Sequence, residues 1–214
     1  ILDRGPVSTI IPWQSPYRGI GHKATPVIME NTMLFGLFRR KKRDAEHRVY
    51  CQIVAQARQP VFYQAYGVPD TVDGRFDLIV VHAVLVFRRL RSEGKEISRF
   101  AQDVFDLFFH DMDASLREMG VSDVRVPKKI KAMGEAFYGR ADAYMPLIEA
   151  GDVPSLAEAL KRNVYADADA QVGELSLARY MIAAAAEMDK QPVDTIVAGG
   201  LEFPDPALHV GEVN

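Results

Sequence analysis

The sequence predicts an all-α fold, a compact irregular bundle of about six or seven helices. Three observations predict it. Apolar residues recur at helical spacing from about Asp44 to Met188, and no segment alternates with a period of two. Glycine and proline mark most boundaries between the periodic stretches, at Pro60, Gly67–Pro69, Gly94, Gly120, Pro127, Gly151 and Pro154. No repeat recurs at a fixed period.

The first 32 residues differ from the rest. Pro6, Pro12, Pro16 and Pro26, with Gly5, Gly19 and Gly21 between them, bar a sustained helix. They read as a loosely ordered leader before Met33, which is a candidate natural start. Met33–Phe38 is a small apolar cluster, and Arg39, Arg40, Lys41, Lys42 and Arg43 follow at once. Sequence leaves three readings of this run: a solvated tail, contact with an anionic membrane at about 1 kcal/mol per basic residue, or contact with RNA phosphates. Residues 1–43 are therefore set apart as leader and apolar-basic tail, 44–190 as the helical domain and 191–214 as a C-terminal tail.

Asp44 suits the cap of a helix to about Arg58, with Val49, Ile53, Val54 and Ala57 on its inner stripe. Pro60 ends this helix or opens the next. An aromatic turn, Phe62–Tyr66, then reaches Gly67, which suits a left-handed cap. Asp70 or Thr71 starts the central helix. Phe76, Ile79, Val80, Ala83, Val84, Phe87 and Leu90 form its stripe, and Val81, Leu85 and Val86 carry apolar character round most of its circumference. Such a helix is buried on several sides. Gly74 weakens its first turns unless a neighbour packs closely there.

Ser98 or Glu96 opens the next helix, with Phe100, Val104, Leu107 or Phe108, Met112, Leu116 and Met119 inward. Val126-Pro127 opens another, carrying Ile130, Met133, Ala136 or Phe137, Ala141 and Tyr144, with Pro146 kinking or ending it. Val153-Pro154-Ser155 opens a short helix with Leu156, Leu160 and Val164. The last runs from about Val172 to Met188, with Leu175, Ala178, Ile182 and Ala186 inside. Pro192, Gly199-Gly200, Pro204 and Pro206 signal a loose tail beyond Gln191.

Composition excludes several function classes. Hydrophobic residues at 48% and charged residues at 26% are those of a globular protein, and a net charge of −3 gives no reason to expect DNA as a partner. Cys51 is the one cysteine, so no intrachain disulfide forms. The longest apolar run, Leu78–Phe87, is far short of the roughly 20 residues of a membrane span. No secretory signal pattern opens the chain.

Candidate chemistry is sparse. Asp103, Asp106, His110 and Asp113 line one side of a helix at metal-ligand spacing, but no second helix completes a shell, and the bland reading is a polar face. His82 on its apolar helix reads as a core or interface histidine. Cys51 has no evident base, and His47, His22 and His209 have no visible partner. Gly134 and Gly139 read as points of helix approach. Arg125, Lys128, Lys129 and Lys131 cluster at a helix start, where the dipole disfavours cations, so a partner for them is conceivable beside a solvated face. Phosphate-loop, nucleophile-elbow and zinc-box patterns are missing from the sequence. Sequence supplies no catalytic residue, no metal ligand set and no cofactor site.

Several blocks in one order carry a resemblance. They are Phe62-Tyr63 through Gly67-Val68-Pro69-Asp70-Thr71; Gly74-Arg75-Phe76-Asp77-Leu78 with His82 and Arg88-Arg89-Leu90; Phe108–Asp113 with Leu116–Val121; and Val126–Lys129 with Ala136–Arg140. Over about residues 45–190 the chain resembles the ubiquinol–cytochrome c chaperone family, as a bacterial member. The resemblance implies a non-enzymatic assembly factor for respiratory complex III that binds newly made cytochrome b or another subunit. It also implies work near the ribosome exit with a small partner protein, peripheral to the cytoplasmic face of the inner membrane. A metal- or haem-handling helical protein is the alternative, and an unrecognised hydrolase or transferase the third reading.

A chaperone of a membrane subunit needs an apolar groove. Phe62, Tyr63, Tyr66, Phe76, Phe108, Phe109, Phe137 and Tyr138 are available to line one or to fill the core. For a client-facing rim the expectation is Phe62, Tyr63, Tyr66, Asp70, Arg75, Arg88, Arg89, Phe137 and Tyr138, with Arg39–Arg43 for membrane or RNA.

Overall fold

The computed structural model describes residues 33–166 and 173–210, with side chains from Asp44 onward. The expected leader before Met33, His22 and the last four residues lie outside that range. Among the described residues there are eight α-helices and a 3₁₀ turn, and no strand. The helices are α1 (Met33–Ala57), α2 (Pro60–Gln64), α3 (Val72–Leu90), α4 (Lys95–Glu118), α5 (Val126–Ala150), α6 (Val153–Asn163), α7 (Gly173–Asp189) and α8 (Val193–Val197). The 3₁₀ turn is Pro206–His209. The all-α expectation holds.

Helix α3 sits at the centre. Every residue from Asp77 to Phe87 is buried, because α4, α5 and α7 pack around it. This is the environment that an apolar surface on nearly all sides requires. Its start is fixed by Thr71, whose hydroxyl accepts from the Gly74 amide at 3.1 Å. Two aromatic clusters occupy different faces of α3. Phe76 and Phe87 meet Phe108, Phe105 and Phe137. His82 meets Phe62, Tyr180 and Phe203.

A chain of buried hydrogen bonds runs through the second cluster. The Leu78 carbonyl can only accept, so His82 Nδ1 carries the proton and donates to it at 2.7 Å. Nε2 is then the acceptor of the Tyr180 hydroxyl at 3.0 Å. The Tyr180 oxygen accepts in turn from Gln56 Nε2 at 2.9 Å. That amide also reaches the Pro204 carbonyl at 3.1 Å. Burial pushes the imidazole down from 6.5 to about 4, against the pull of the Leu78 carbonyl. His82 is thus a neutral core residue, as its lone position on an apolar helix suggests.

The structure departs from the sequence reading in four places. Helix α1 begins at Met33, not Asp44, because Leu, Phe, Arg and Lys are adequate helix formers and no proline intervenes. Helix α5 runs through Pro146, so that proline does not end it, and stops as expected at the Gly151 turn, left-handed at φ 65°. In α7 Ala178 is buried as expected, in an arc with Leu177, Tyr180, Met181, Ala184 and Met188; Leu175 and Ala186 are exposed and Ile182 is half-buried. An Ala-rich helix has a flat apolar pattern, so the large Tyr and Met side chains choose the inner face. Gly134 and Gly139 are not close-approach points, since a Cβ at either meets nothing nearer than the Phe109 ring at 3.9 Å.

The fourth departure concerns the segment after Gln191. It is not loose. Ile196 and Leu201 are buried. Its backbone carbonyls accept from Arg48, Gln52 and Gln56 of α1, and Tyr66 donates to the Pro206 carbonyl at 2.6 Å. Gln191 pairs twice with the Glu202 backbone. Proline and glycine there frame the short helix α8 and an irregular strap over 198–205 that side chains bind.

The close approach that Gly74 implies is real, but the neighbour is a loop. A Cβ at Gly74 would lie 2.1 Å from the Pro69 carbonyl oxygen. Alanine gains about 1 kcal/mol in helix propensity, yet the clash is with backbone and outweighs it. Gly74→Ala is therefore expected to lower stability by roughly 1–3 kcal/mol in urea unfolding.

The His82 shift has a defined sign. Between pH 6.5 and about 4 the unfolded chain binds a proton that the folded one refuses, so this contribution falls as pH falls through that window. Asp77 acts oppositely, because burial raises its carboxyl from 3.8 to about 6. Stability of the wild type minus that of His82→Gln isolates the histidine. The difference is expected to shrink by up to about 3 kcal/mol on going from pH 7 to 4. A difference that is flat with pH would show that His82 titrates normally in the folded protein.

Candidate functional site

The aromatic turn and the start of α3 form an open cleft of about 390 Å³, lined by Arg58, Pro60, Tyr63, Gln64, Asp70 and Arg75. Arg58 directly follows α1, Pro60, Tyr63 and Gln64 come from α2, Asp70 from the loop and Arg75 from α3. The structure thus brings three expected rim residues, Tyr63, Asp70 and Arg75, to one place. Tyr63 donates to the Ala57 carbonyl at 3.0 Å, which satisfies an orphan acceptor at the end of α1. Partial burial raises its hydroxyl pKa. Arg75 Nε donates to Asp70 at 2.7 Å and holds that carboxyl below its ordinary value. Arg58 makes no ion pair among the described residues, so the mouth of the cleft is positive.

The loop forming this rim is clamped from below. The Val68 amide donates to the Phe62 carbonyl at 3.1 Å. Gly67 takes φ 66°, which a side chain would disfavour. Tyr165 donates to the Tyr66 carbonyl at 2.9 Å, and Gly173 packs so closely there that a Cβ would stand 2.0 Å from that oxygen. Gly173 and Gly74 thus both exist to admit the Tyr66–Pro69 backbone. A rim so held is preorganised for binding.

Other expected rim residues are not at the surface. Phe62, Tyr66 and Phe137 are buried. They fill the two aromatic clusters, which is the cheaper place for a large apolar ring. Arg88 and Arg89 are committed inside the fold, their side chains only 12% and 13% exposed. Arg88 forms a two-pronged pair with Asp189. Arg89 donates to the Met188 and Gln191 carbonyls and pairs with Glu93. Together they cap the carbonyl end of α7. Tyr138 is half-buried beside Phe105 and Phe137. Phe76 and Phe109 are likewise half-buried, and Phe108 is buried. Of Arg39–Arg43, only the helical backbone is described.

Two features escaped the sequence reading. Arg58 and Gln64 belong to the cleft, and their place beside the Pro60 break was the available signal. Asp77 is the second. It lies in the apolar helix and meets Arg140 Nη2 at 2.6 Å, an ion-pair contact rather than an aligned hydrogen bond. A carboxylate inside an apolar stripe demands a cation, so Asp77 itself was the clue to Arg140.

The metal spacing does not close. Asp113 pairs with Arg117 at 2.6 Å, Asp106 accepts from Gln102 at 2.7 Å, and His110 is exposed. Among the described residues no three His, Cys, Asp or Glu side chains converge as metal ligands. Cys51 is exposed, with His47 at 3.6 Å on the same helix face. No helix of the described residues is long and apolar enough to cross a membrane.

Residues 64–203, from the cleft through the central helices to the strap, match the family model described as ubiquinol-cytochrome C chaperone. The chain is 25% identical over 124 residues to ubiquinol-cytochrome-c reductase complex assembly factor 1 of Xenopus laevis; that region is 58% of this chain and 62% of the length of the frog protein. It superposes on the crystal structure of the Cbp3 homologue from Brucella abortus with a TM-score of 0.74 and 35% identity, covering 82% of this chain and 98% of the other. A family model matched over residues 64–203 and a shared fold at 35% identity lead to one conclusion: the chain belongs to the ubiquinol-cytochrome C chaperone family.

Proposed function

We propose that this protein is a non-enzymatic assembly chaperone for ubiquinol–cytochrome c reductase, and that it binds newly made cytochrome b at the cytoplasmic face of a bacterial inner membrane. The observation that carries the proposal is the match to the Brucella abortus protein over nearly its whole length. The relation to the frog assembly factor, by name a factor for that complex, supports the choice of complex.

The clamped rim of Arg58, Tyr63, Gln64, Asp70 and Arg75 is the surface we assign to the client. A membrane subunit exposes polar loops as well as apolar helices during synthesis. A rigid rim with an unpaired guanidinium suits a loop with acidic or carbonyl acceptors. The basic run Arg39–Arg43 is the second contact, placed on the anionic bilayer beside which the client emerges. Work near the ribosome exit and with a small partner protein belongs to the same proposal.

Deleting the gene is expected to lower assembled complex III while cytochrome b message stays level. Arg58→Glu with Arg75→Glu, both exposed, is expected to reproduce that loss with the melting temperature of the purified protein preserved. Normal complex III in the deletion strain would refute the assembly role; normal complex III in the double variant alone would refute the rim.

Replacing Arg39–Arg43 by glutamine is expected to weaken binding to anionic vesicles at low salt, by roughly 1 kcal/mol for each residue that contacts the surface. Unchanged sedimentation with vesicles would rule out the run as an anchor.

A further inference from the structure

The connection between α4 and α5 carries exposed apolar and basic side chains that nothing in the fold uses. Val124 is 90% exposed and Met119 is 55% exposed. Both are large apolar groups within one turn region, with half-buried Val121 between them. The connection is ordered. Gly120 donates to the Arg117 carbonyl and Val121 to that of Leu116, while Arg125 and Val126 both donate to Ser122. Buried Leu116 and Val126 anchor its two ends. Val124 is therefore displayed by a defined turn.

The charges around it are sorted. Arg117 binds both Asp113 at 2.6 Å and Asp123 at 2.5 Å, so this trio keeps one net negative charge at the tip. Lys131 and Glu135 face each other at 3.7 Å. Arg125, Lys128 and Lys129 are exposed and make no ion pair among the described residues. Glu118 is the remaining acid. The tip thus presents Val124 and Met119 inside a collar with a net positive balance.

We propose that this tip docks on an anionic lipid surface, with Val124 and Met119 entering the headgroup layer and Arg125, Lys128 and Lys129 on its phosphates. Three properties favour lipid. A convex turn with a pair of aliphatic side chains offers far less than the ~800 Å² a side of a stable protein interface. The stretch 119–129 has no aromatic ring on which a nucleobase could stack. A bilayer interface needs no complementary shape, and it takes apolar groups and basic groups together. This docking does not depend on the identity of the client, and it is separate from the Arg39–Arg43 run.

The test uses the purified full chain and sedimentation with phosphatidylcholine vesicles, with and without phosphatidylglycerol. Val124→Asp and the pair Lys128→Glu with Lys129→Glu are each expected to reduce partitioning onto the anionic vesicles roughly tenfold. All three sites are exposed, so circular dichroism and melting temperature should match the wild type. A variant with Arg39–Arg43 neutralised runs alongside, so that loss of the tail and loss of the tip are read separately. Three results would overturn the proposal. In one, the tip variants bind vesicles like the wild type. In another, only the lysine reversal matters, which means surface charge without insertion. In the third, the tip variants keep vesicle binding but lower complex III in cells, which makes the tip a protein contact.

Discussion

The His82–Tyr180–Gln56 chain is the constraint on which the rest of the structure depends. It links the middle of α3 to α7, to α1 and, through the Pro204 carbonyl, to the C-terminal strap. Each member is buried, so each must be satisfied, and each has one arrangement that satisfies it. The Leu78 carbonyl fixes the imidazole tautomer, the tautomer fixes the direction of the Tyr180 hydroxyl, and that hydroxyl fixes the Gln56 amide. An apolar core of Val, Leu and Ala tolerates helix sliding and rotation. A directional polar chain across it does not, and it sets the rotation of α7 that the alanine pattern leaves undefined.

The same logic reaches the surface. Tyr66 lies in the aromatic cluster around Tyr180 and Phe62. Its hydroxyl holds Pro206 of the strap, and its carbonyl is held by Tyr165. The backbone that follows, Gly67 to Thr71, is the rim of the cleft. The rim is rigid because its first residue belongs to the core network. The second anchor is steric: the Pro69 carbonyl rests where a side chain at residue 74 would be. Preorganisation of the candidate surface is thus a by-product of burying Phe62 and Tyr66, the very rings that sequence reading offered to a partner.

What was legible in the sequence follows from the kind of signal involved. The central place of α3 was legible because its apolar run leaves no polar face. The caps at Thr71 and Gly151, and the stop at Gly120, were legible because each needs a particular residue type. The orientation of α7 was not, since alanines fit an interior and a surface equally well. The strap was not, because Pro192, Gly199-Gly200 and Pro204 carry no period, and its bonds come from Arg48, Gln52 and Gln56, far away in the chain. The roles of Arg88 and Arg89 were half legible: basic residues at a helix end suit its dipole, but the carbonyls they cap belong to α7. Only tertiary proximity could have shown that they were spent. The candidate site was legible as a region, from Phe62 to Arg75, and not as a list of side chains.

The distribution of perturbed groups bears on what such a fold can do. His82, Asp77, Tyr66, Tyr144, Tyr165 and Tyr180 all have pKa values moved by burial. In an enzyme such groups converge on a cleft, where shifted protonation serves a reaction. Here they are buried among the helices, where His82, Tyr66, Tyr165 and Tyr180 make hydrogen bonds and Asp77 meets Arg140. At the cleft, partial burial raises the Tyr63 hydroxyl, and Asp70 and Arg75 shift because they bind each other, which stabilises their charged forms. A charged rim on a preorganised loop suits recognition of a polar partner. In this chain the titratable chemistry holds the fold together, and the surface is left free to hold something else.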